Sequence, residues 1–332
     1  MNSVGLYPLV QNETIKIWKK KRFLVILLIL AALIPMFTYA QMKVAQNSKK
    51  QFGTQDWRLE TQQQINDYTN RLASNRVPEE WKKVMRVQVK VLQYYLDKNV
   101  DPKAPNGVTF TKTFMANAIS LFIPLMVMVL ASDLVSSEHS TGTIKLLLTR
   151  PVQRWKVLAS KYIALVLYIS LTVLATMALA YLISGLVFGY GGWTLPTFTG
   201  YQIVGSEIDM SSVHPVPGWL YVLMELGLVW FAALIVGFMS LMVSVLVRST
   251  AAGMGIMLAV VISGSILTNM VSSWETAKYL FMVNLTLTDY LAGRLPPIEG
   301  MDLGFSMTVL AVWGIASLVV SFAVFTRKDV LN

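Results

Sequence analysis

The sequence contains no cysteine and only two histidines. The missing cysteine excludes disulfides, thiolate metal sites and a cysteine nucleophile. His139 and His214 both fall in polar connections, and no second ligand is spaced to complete a metal site with either of them. The sequence therefore predicts no metal site.

Charged residues are also scarce. They make up 14% of the chain, against about 25% in average soluble proteins, and 55% of the residues are hydrophobic. This composition is typical of a membrane protein. The net charge of +10 would suggest nucleic acid in a soluble chain, but here the basic residues lie beside apolar runs. We therefore expect the lipid bilayer as a partner, and no nucleic acid.

Common catalytic patterns are missing as well. The chain has no G-x-x-x-x-G-K-[ST] loop, and not one Gly-Lys pair, so it lacks the loop that cradles nucleotide phosphates. The patterns H-E-x-x-H and G-x-S-x-G are absent too, which removes the usual membrane hydrolases. We expect no catalytic site and no cofactor in this chain.

Six apolar runs are long enough to cross roughly 30 Å of hydrocarbon. They predict an all-α polytopic membrane protein with spans at 23–40, 114–132, 162–188, 219–247, 251–271 and 305–325. The first run ends in Thr38-Tyr39-Ala40, which faintly resembles a signal cleavage site. Its length favours an uncleaved span.

The terminal segments and the connections between the predicted spans alternate between the two sides of the membrane. One side carries more basic residues than the other. Most of those in the short connections fall in 1–22, 133–161, 248–250 and 326–332. The opposite connections, 189–218 and 272–304, hold only Lys278 and Arg294. The positive-inside rule therefore predicts cytoplasmic termini. The segment 41–113 is also basic, but segments of its length cross the membrane with little regard for charge.

The outer connections differ in character. Two amphipathic patterns in 41–113 predict an extracellular helical hairpin whose apolar stripes, Trp81 included, bury each other. A solvated spacer and a substrate-binding lid would both show this pattern. The connection 189–218 is rich in Gly, Pro and aromatic residues. The segment 272–304 is too apolar for a free loop and too interrupted for a span, so it predicts a half-buried or re-entrant helix.

The inner segment 133–161 contains a short capped helix. Thr141 is a candidate N-cap, and Pro151 ends the helix at Arg150. Ile144, Leu147 and Leu148 share one face because they lie three and four residues apart. That face suits an interfacial helix on the lipid surface, and it equally suits a contact with a soluble partner.

Two features lie inside the predicted spans. Glu225 is the only acidic residue well inside a span, which makes it a candidate for the translocation path or a structural anchor near the outer end. Small residues repeat every four positions along two spans, a pattern that suits packing within one bundle or against a second subunit. These stripes are Ala251, Gly255, Ala259 and Ser263, and Thr172, Thr176, Ala180 and Ser184.

The inner segment carries a family resemblance. The pattern S-E-x3-G-T-x-K-x-L-L-x-R-P-x2-R-x3-L-x2-K, read from Ser137 to Lys161, resembles permease subunits of ABC-2 type transporters. The basic start NETIKIWKKKRF resembles that family's N-terminal amphipathic elbow helix, and the closing FTRKDVLN is similar too. The external segment is larger than in compact family members, so its role does not carry over.

The resemblance implies a coupling helix that seats in an ATP-binding subunit. The residues that carry this implied ATPase-coupling role are Glu138, Gly142, Thr143, Ile144, Lys145, Leu147, Leu148, Arg150, Pro151 and Arg154. It further implies a dimer with a second permease, identical or related, driven by two ATP-binding subunits that bind ATP and Mg. The expected activity is export of an amphipathic drug, peptide or lipid-like compound across a bacterial cell membrane by alternating access.

Two other functions remain open from the sequence. An ion-coupled secondary transporter needs ionisable groups near the midplane and internal inverted repeats. Only Glu225 is available for that role, and no repeat is visible. A membrane sensor or scaffold would instead use the external hairpin to bind a ligand.

Overall fold

A computed structural model describes residues 5–52, 56–74, 77–101, 106–140, 152–204, 207–209, 211–247, 249–270 and 274–327. This part of the chain is mostly helical. Its helices are α1 (Leu6–Lys19), α2 (Arg22–Phe52), α3 (Trp57–Leu72), α4 (Glu79–Asp97), α5 (Gly107–Ala118), α6 (Phe122–Ala131), α7 (Ser136–Ser140), α8 (Arg154–Phe188), α9 (Gly218–Leu246), α10 (Thr250–Met270), α11 (Thr288–Leu291) and α12 (Leu303–Arg327). The strands are β1 (Pro196–Thr199), β2 (Gln202–Val204), β3 (Glu207–Asp209) and β4 (His214–Pro217).

Five helices of the described ranges are long and apolar enough to cross a membrane, which makes the chain a multi-pass membrane protein. The candidate spans are Arg22–Asn47, Arg154–Phe188, Gly218–Leu246, Thr250–Thr268 and Leu303–Arg327. A sixth crossing is available if α5 and the helical stretch Phe122–Glu138 form one broken span.

The break between α5 and α6 bends the chain by 62°. The sequence predicts one continuous span there, at 114–132. In the structure, Asn117 and Ser120 donate side-chain hydrogen bonds to the carbonyls of Thr113 and Asn117, beside the break. Pro124 lies in the first turn of α6, where its missing N–H removes no helical hydrogen bond.

The helix α8 lies at the centre of the bundle and contacts α1, α2, α5 and α9. Its stripe of small residues is fully buried, since Thr172, Thr176, Ala180 and Ser184 are each at most 1% exposed. By contrast, the predicted stripe on α10 lies on that helix's exposed face. Apart from its chain neighbours and the backbone of its own helix, no atom of the described residues lies within 4 Å of the position that a Cβ on Gly255 would take.

The predicted outer connections contain short strands as well as helices, which corrects the all-α prediction. β1 pairs with β4, and β2 pairs with β3, both antiparallel. Part of the apolar face of α4 packs on these strands, through Val87 and Val91 against Phe198. Trp81, which the sequence places in the buried stripe, is 61% exposed. We call this side of the spans the outer side, after the sequence prediction.

The segment after α10 is folded against the spans. Two short 3-10 helices, Glu275–Tyr279 and Phe281–Asn284, precede α11. Ala277, Val283 and Met301 are buried together, beside the ends of α10 and α12. The amide of Asn284 donates to the carbonyls of Lys278 and Leu280, so this irregular backbone is satisfied within the protein.

Candidate functional site

The N-terminal helix α1 buries one face against the rest of the protein. Glu13 and Ile17 are buried against the protein, while Tyr7 and Trp18 are exposed on the other side. After α1, Lys21 adopts a φ of 56°, and this left-handed turn leads the chain directly into α2.

Lys161 on α8 is the centre of the charged contacts at this end. Its side chain is fully buried, and its ammonium group donates to Glu13 Oε2 at 2.9 Å, to Glu138 Oε1 at 2.8 Å and to the Leu134 carbonyl at 2.8 Å. A lysine ammonium has three N–H donors, so all of them are used. One side chain thereby joins α1, α8 and the turn that follows α6.

Lys16 reinforces the same contact from the solvent side. Its ammonium lies 2.7 Å from Glu13 Oε1 and 2.9 Å from Glu138 Oε1. Burial lowers the pKa of Lys16, but the carboxylates of Glu13 and Glu138 raise it more, so that it lies above its ordinary value. Lys16 therefore remains a cation at physiological pH.

A second group of charges lies beside the first. Asp133 is buried, accepts a hydrogen bond from Lys20 at 2.7 Å and forms an ion pair with Arg22 at 2.8 Å. Arg22 also donates to the Val129 carbonyl at 2.8 Å. We call Glu13, Lys16, Lys20, Arg22, Asp133, Glu138 and Lys161 together the inner ion-pair cluster.

The turn that carries Asp133 is also held by α9. The backbone amides of Val135 and Ser136 donate to Ser244 Oγ at 3.2 and 3.0 Å. With Lys161 bonded to the Leu134 carbonyl, this turn is fixed on both sides. The turn that carries Asp133 is therefore bonded to both α8 and α9.

The cluster flanks the predicted coupling segment. Glu138 precedes residues 141–151, and Lys161 follows them by ten residues. Arg154 donates to the Thr326 carbonyl at 3.3 Å, at the end of α12. The other predicted coupling residues lie outside the described residues. They are Gly142, Thr143, Ile144, Lys145, Leu147, Leu148, Arg150 and Pro151.

Sequence reasoning found part of this cluster. Glu138 and Lys161 belong to the family pattern, but Glu13 and Asp133 were not among the candidate residues. The available signal was an acidic residue within an otherwise basic N-terminal helix, in NETIKIWKKKR. A carboxylate there needs a cation, but the sequence does not say which one. Within the described ranges, no three His, Asp or Glu side chains are grouped to hold a metal ion.

Glu225 lies at the other end of the bundle. It is 2% exposed, on the part of α9 nearest the outer side. Among the described residues its carboxylate forms no hydrogen bond or close ion pair, and it interacts electrostatically with Lys112 and Arg294. Its role in a translocation path stays a prediction.

Comparisons with known proteins give a family and distant relatives. A family model described as "Protein of unknown function (DUF2705)" matches residues 82–331. Uncharacterized protein YhcI of Bacillus subtilis is 29% identical over 241 residues, which cover 72% of this chain and 74% of YhcI. Uncharacterized membrane protein YdbK of the same organism is 28% identical over 215 residues, covering 64% of this chain and 80% of YdbK. The probable ABC transporter permease protein NosY of Stutzerimonas stutzeri is 31% identical over 97 residues, covering 28% of this chain and 35% of NosY.

Proposed function

The chain belongs to the DUF2705 family, and we propose that it serves as the permease subunit of an ABC-2 type transporter driven by a separate ATP-binding protein. ATP and Mg are bound by that partner. The distant similarity to NosY, which is named a probable ABC transporter permease, supports this assignment.

The observation that carries the proposal is the inner ion-pair cluster. It ties both flanks of segment 141–151 to α1 and to the inner ends of α6 and α8. A force that a soluble partner applies to this segment would reach these elements, because contiguous packed side chains and ion pairs carry energetic coupling. An interfacial helix that only rests on lipid needs no such connection.

The transport cycle follows from this connection. ATP binding closes the partner dimer, the coupling segments move, and the spans open to the other side of the bacterial cell membrane. Both termini are cytoplasmic in this arrangement, and the exported cargo is an amphipathic drug, peptide or lipid-like compound. The exposed small-residue stripe on α10 offers a face for a second permease, identical or related.

The test is copurification of an ATP-binding protein with the tagged chain. We expect wild-type permease to recover such a subunit and Leu147→Asp to lose it, because a charge buried in the contact without a partner costs roughly 3–5 kcal/mol. That cost corresponds to roughly two to three and a half decades of affinity.

Asn12→Asp is the matched control, since it adds the same charge to the exposed face of α1. It should recover the ATP-binding subunit as well as wild type does. Equal recovery by Leu147→Asp at matched expression, with equal ATP hydrolysis, would exclude the coupling role of the segment.

A further inference from the structure

The exposed side of α1 carries aromatic and aliphatic side chains. It lies opposite Glu13 and Ile17, which are buried against the protein. Its residues form one stripe because they are spaced three and four positions apart. They are Tyr7, Gln11, Ile15 and Trp18, and Tyr7, Ile15 and Trp18 are 78%, 46% and 54% exposed. This stripe gives α1 an apolar surface that the described part of the chain leaves uncovered.

The stripe ends beside the start of a membrane span. The ring of Trp18 packs against Phe23 on α2, with centroids 6.5 Å apart. The candidate span begins at Arg22, and its exposed side begins at Leu24 and continues with Leu28, which is 70% exposed. Tryptophan and tyrosine favour the headgroup level of a bilayer. The end of α1 therefore lies where lipid headgroups meet the first span.

Two cations at this position have no partner among the described residues. Lys16, Lys20 and Arg22 belong to the inner ion-pair cluster and contact its carboxylates. Lys19 and Lys21 lie between them in sequence, and both are exposed. In the described part of the chain, no carboxylate lies within ion-pair distance of either ammonium group.

The chain has few further anions to offer on this side. The predicted inner segments contain thirteen basic residues and four acidic ones. Glu13, Asp133 and Glu138 already contact cations of the inner ion-pair cluster, and Asp329 lies outside the described residues. An anion for Lys19 and Lys21 therefore has to come from another molecule.

We propose that the turn between α1 and α2 is a docking site for an anionic phospholipid such as phosphatidylglycerol. Its phosphate group contacts the ammonium groups of Lys19 and Lys21, and its acyl chains lie along the exposed side of α2 that begins at Leu24. Lys21 precedes Leu24 by three residues, about 4.5 Å along a helix, which suits the headgroup level. Long lysine side chains reach that level readily.

The apolar stripe favours a lipid over a soluble anion. Free phosphate would satisfy the two lysines but would leave Ile15 and Trp18 in water, whereas a lipid covers both kinds of group. The site lies wholly in this chain, so it is independent of the proposed ATP-binding partner. The opposite face of α1 contacts Lys161 through Glu13, so α1 lies between the bound lipid and the inner ion-pair cluster.

The test measures which lipid lies next to α1. The native chain has no cysteine, and Ile15 lies four residues before Lys19 on the exposed stripe. A fluorophore on Ile15→Cys is therefore a single reporter beside the site. The purified full chain is placed in phosphatidylcholine bilayers that contain either phosphatidylglycerol or phosphatidylcholine with a spin label near the headgroup end of one acyl chain. The ratio of quenching by the two labelled lipids gives their relative binding constant.

We expect the Ile15→Cys parent to prefer phosphatidylglycerol about 25-fold, since each lysine near an anionic surface contributes roughly fivefold. Lys19→Gln/Lys21→Gln should remove the preference. Each single change should lower it about fivefold, which keeps the test valid if the double variant does not fold. Lys19→Arg/Lys21→Arg should retain it, and molar salt should weaken it because salt screens exposed charges.

Lys90→Gln/Lys98→Gln is the matched control, because it removes two exposed lysines from α4, away from α1. Its lipid preference should equal that of the Ile15→Cys parent. Equal quenching by both lipids in the parent, or an unchanged preference in Lys19→Gln/Lys21→Gln, would overturn the proposal. A preference that inorganic phosphate abolishes at constant ionic strength would assign the two lysines to a soluble anion and would overturn it as well.

Discussion

At the scale of single residues, Lys161 shows how a charge is kept inside this protein. Lysine is almost never fully buried unless it is paired. Here three acceptors satisfy it, two of them carboxylates from different elements. The sequence placed Lys161 in a recognisable pattern. It did not predict the partner Glu13, because the two residues lie 148 positions apart and meet only after α1 folds back.

Removing the Lys161 ammonium group should destabilise the protein. Lys161→Met removes the cation that contacts both Glu13 and Glu138, so we expect a loss of about 3 kcal/mol, the lower end of the range for broken buried pairs. The measurement is thermal unfolding of the purified protein in detergent, where the midpoint should fall by several degrees.

Lys19→Met serves as the control, because Lys19 is exposed on α1 and lies outside the inner ion-pair cluster. Its midpoint should stay near that of wild type. Lys161→Met combined with Glu13→Gln should lose less stability than the two single changes together, since the double change removes both partners of one pair. A Lys161→Met protein as stable as wild type would contradict the structural role assigned to the cluster.

At the scale of elements, hydropathy predicted the long helices far better than their ends. Apolar composition alone indicates α8, α9, α10 and α12, because a bilayer requires continuous helices. Hydropathy does not report the bend between α5 and α6, beside which the side chains of Asn117 and Ser120 donate to backbone carbonyls. The short strands were missed as well, since neither their pairing nor the packing of Phe198 and Ile208 with α4 is visible in hydropathy.

Gly218 illustrates such a local constraint, where β4 passes into α9. A methyl group on Gly218 would lie 2.4 Å from the Gly192 carbonyl oxygen, a backbone atom with little freedom to move. We expect Gly218→Ala to cost about 1–3 kcal/mol through overpacking and to lower the thermal midpoint.

Gly227→Ala is the comparison on the same helix. Apart from its chain neighbours and the backbone of its own helix, no atom in the described part of the chain lies within 4 Å of the added methyl group. Alanine is the better helix former, so the midpoint should stay unchanged or rise slightly. If Gly218→Ala unfolded at the same temperature as Gly227→Ala, the connection between β4 and α9 would accommodate the methyl group without loss of stability, and the prediction would be wrong.

At the scale of the whole molecule, the two ends of the bundle differ in the number and the pairing of their charged residues. The inner end gathers many cations, several of them paired with Glu13, Asp133 and Glu138. At the outer end, Lys112 donates to Thr197 on β1 and lies 5.2 Å from the centre of the Tyr221 ring. The positive-inside rule counts lysine and arginine and gives acidic residues little weight, so pairing within the cluster does not weaken its prediction of orientation.

The orientation has a direct test, because the native chain has no cysteine and gives no background. Gln62 is exposed on α3, within the predicted extracellular hairpin, and Asn12 is exposed on α1 beside the inner ion-pair cluster. In intact cells, Gln62→Cys should react with a membrane-impermeant maleimide, whereas Asn12→Cys should react only after the cells are permeabilised. Basic residues next to a first span resist translocation, and this is the physical reason for the difference. Labelling of Asn12→Cys in sealed cells, with Gln62→Cys protected, would reverse the orientation and place the predicted coupling segment on the side that a cytoplasmic ATP-binding protein cannot reach.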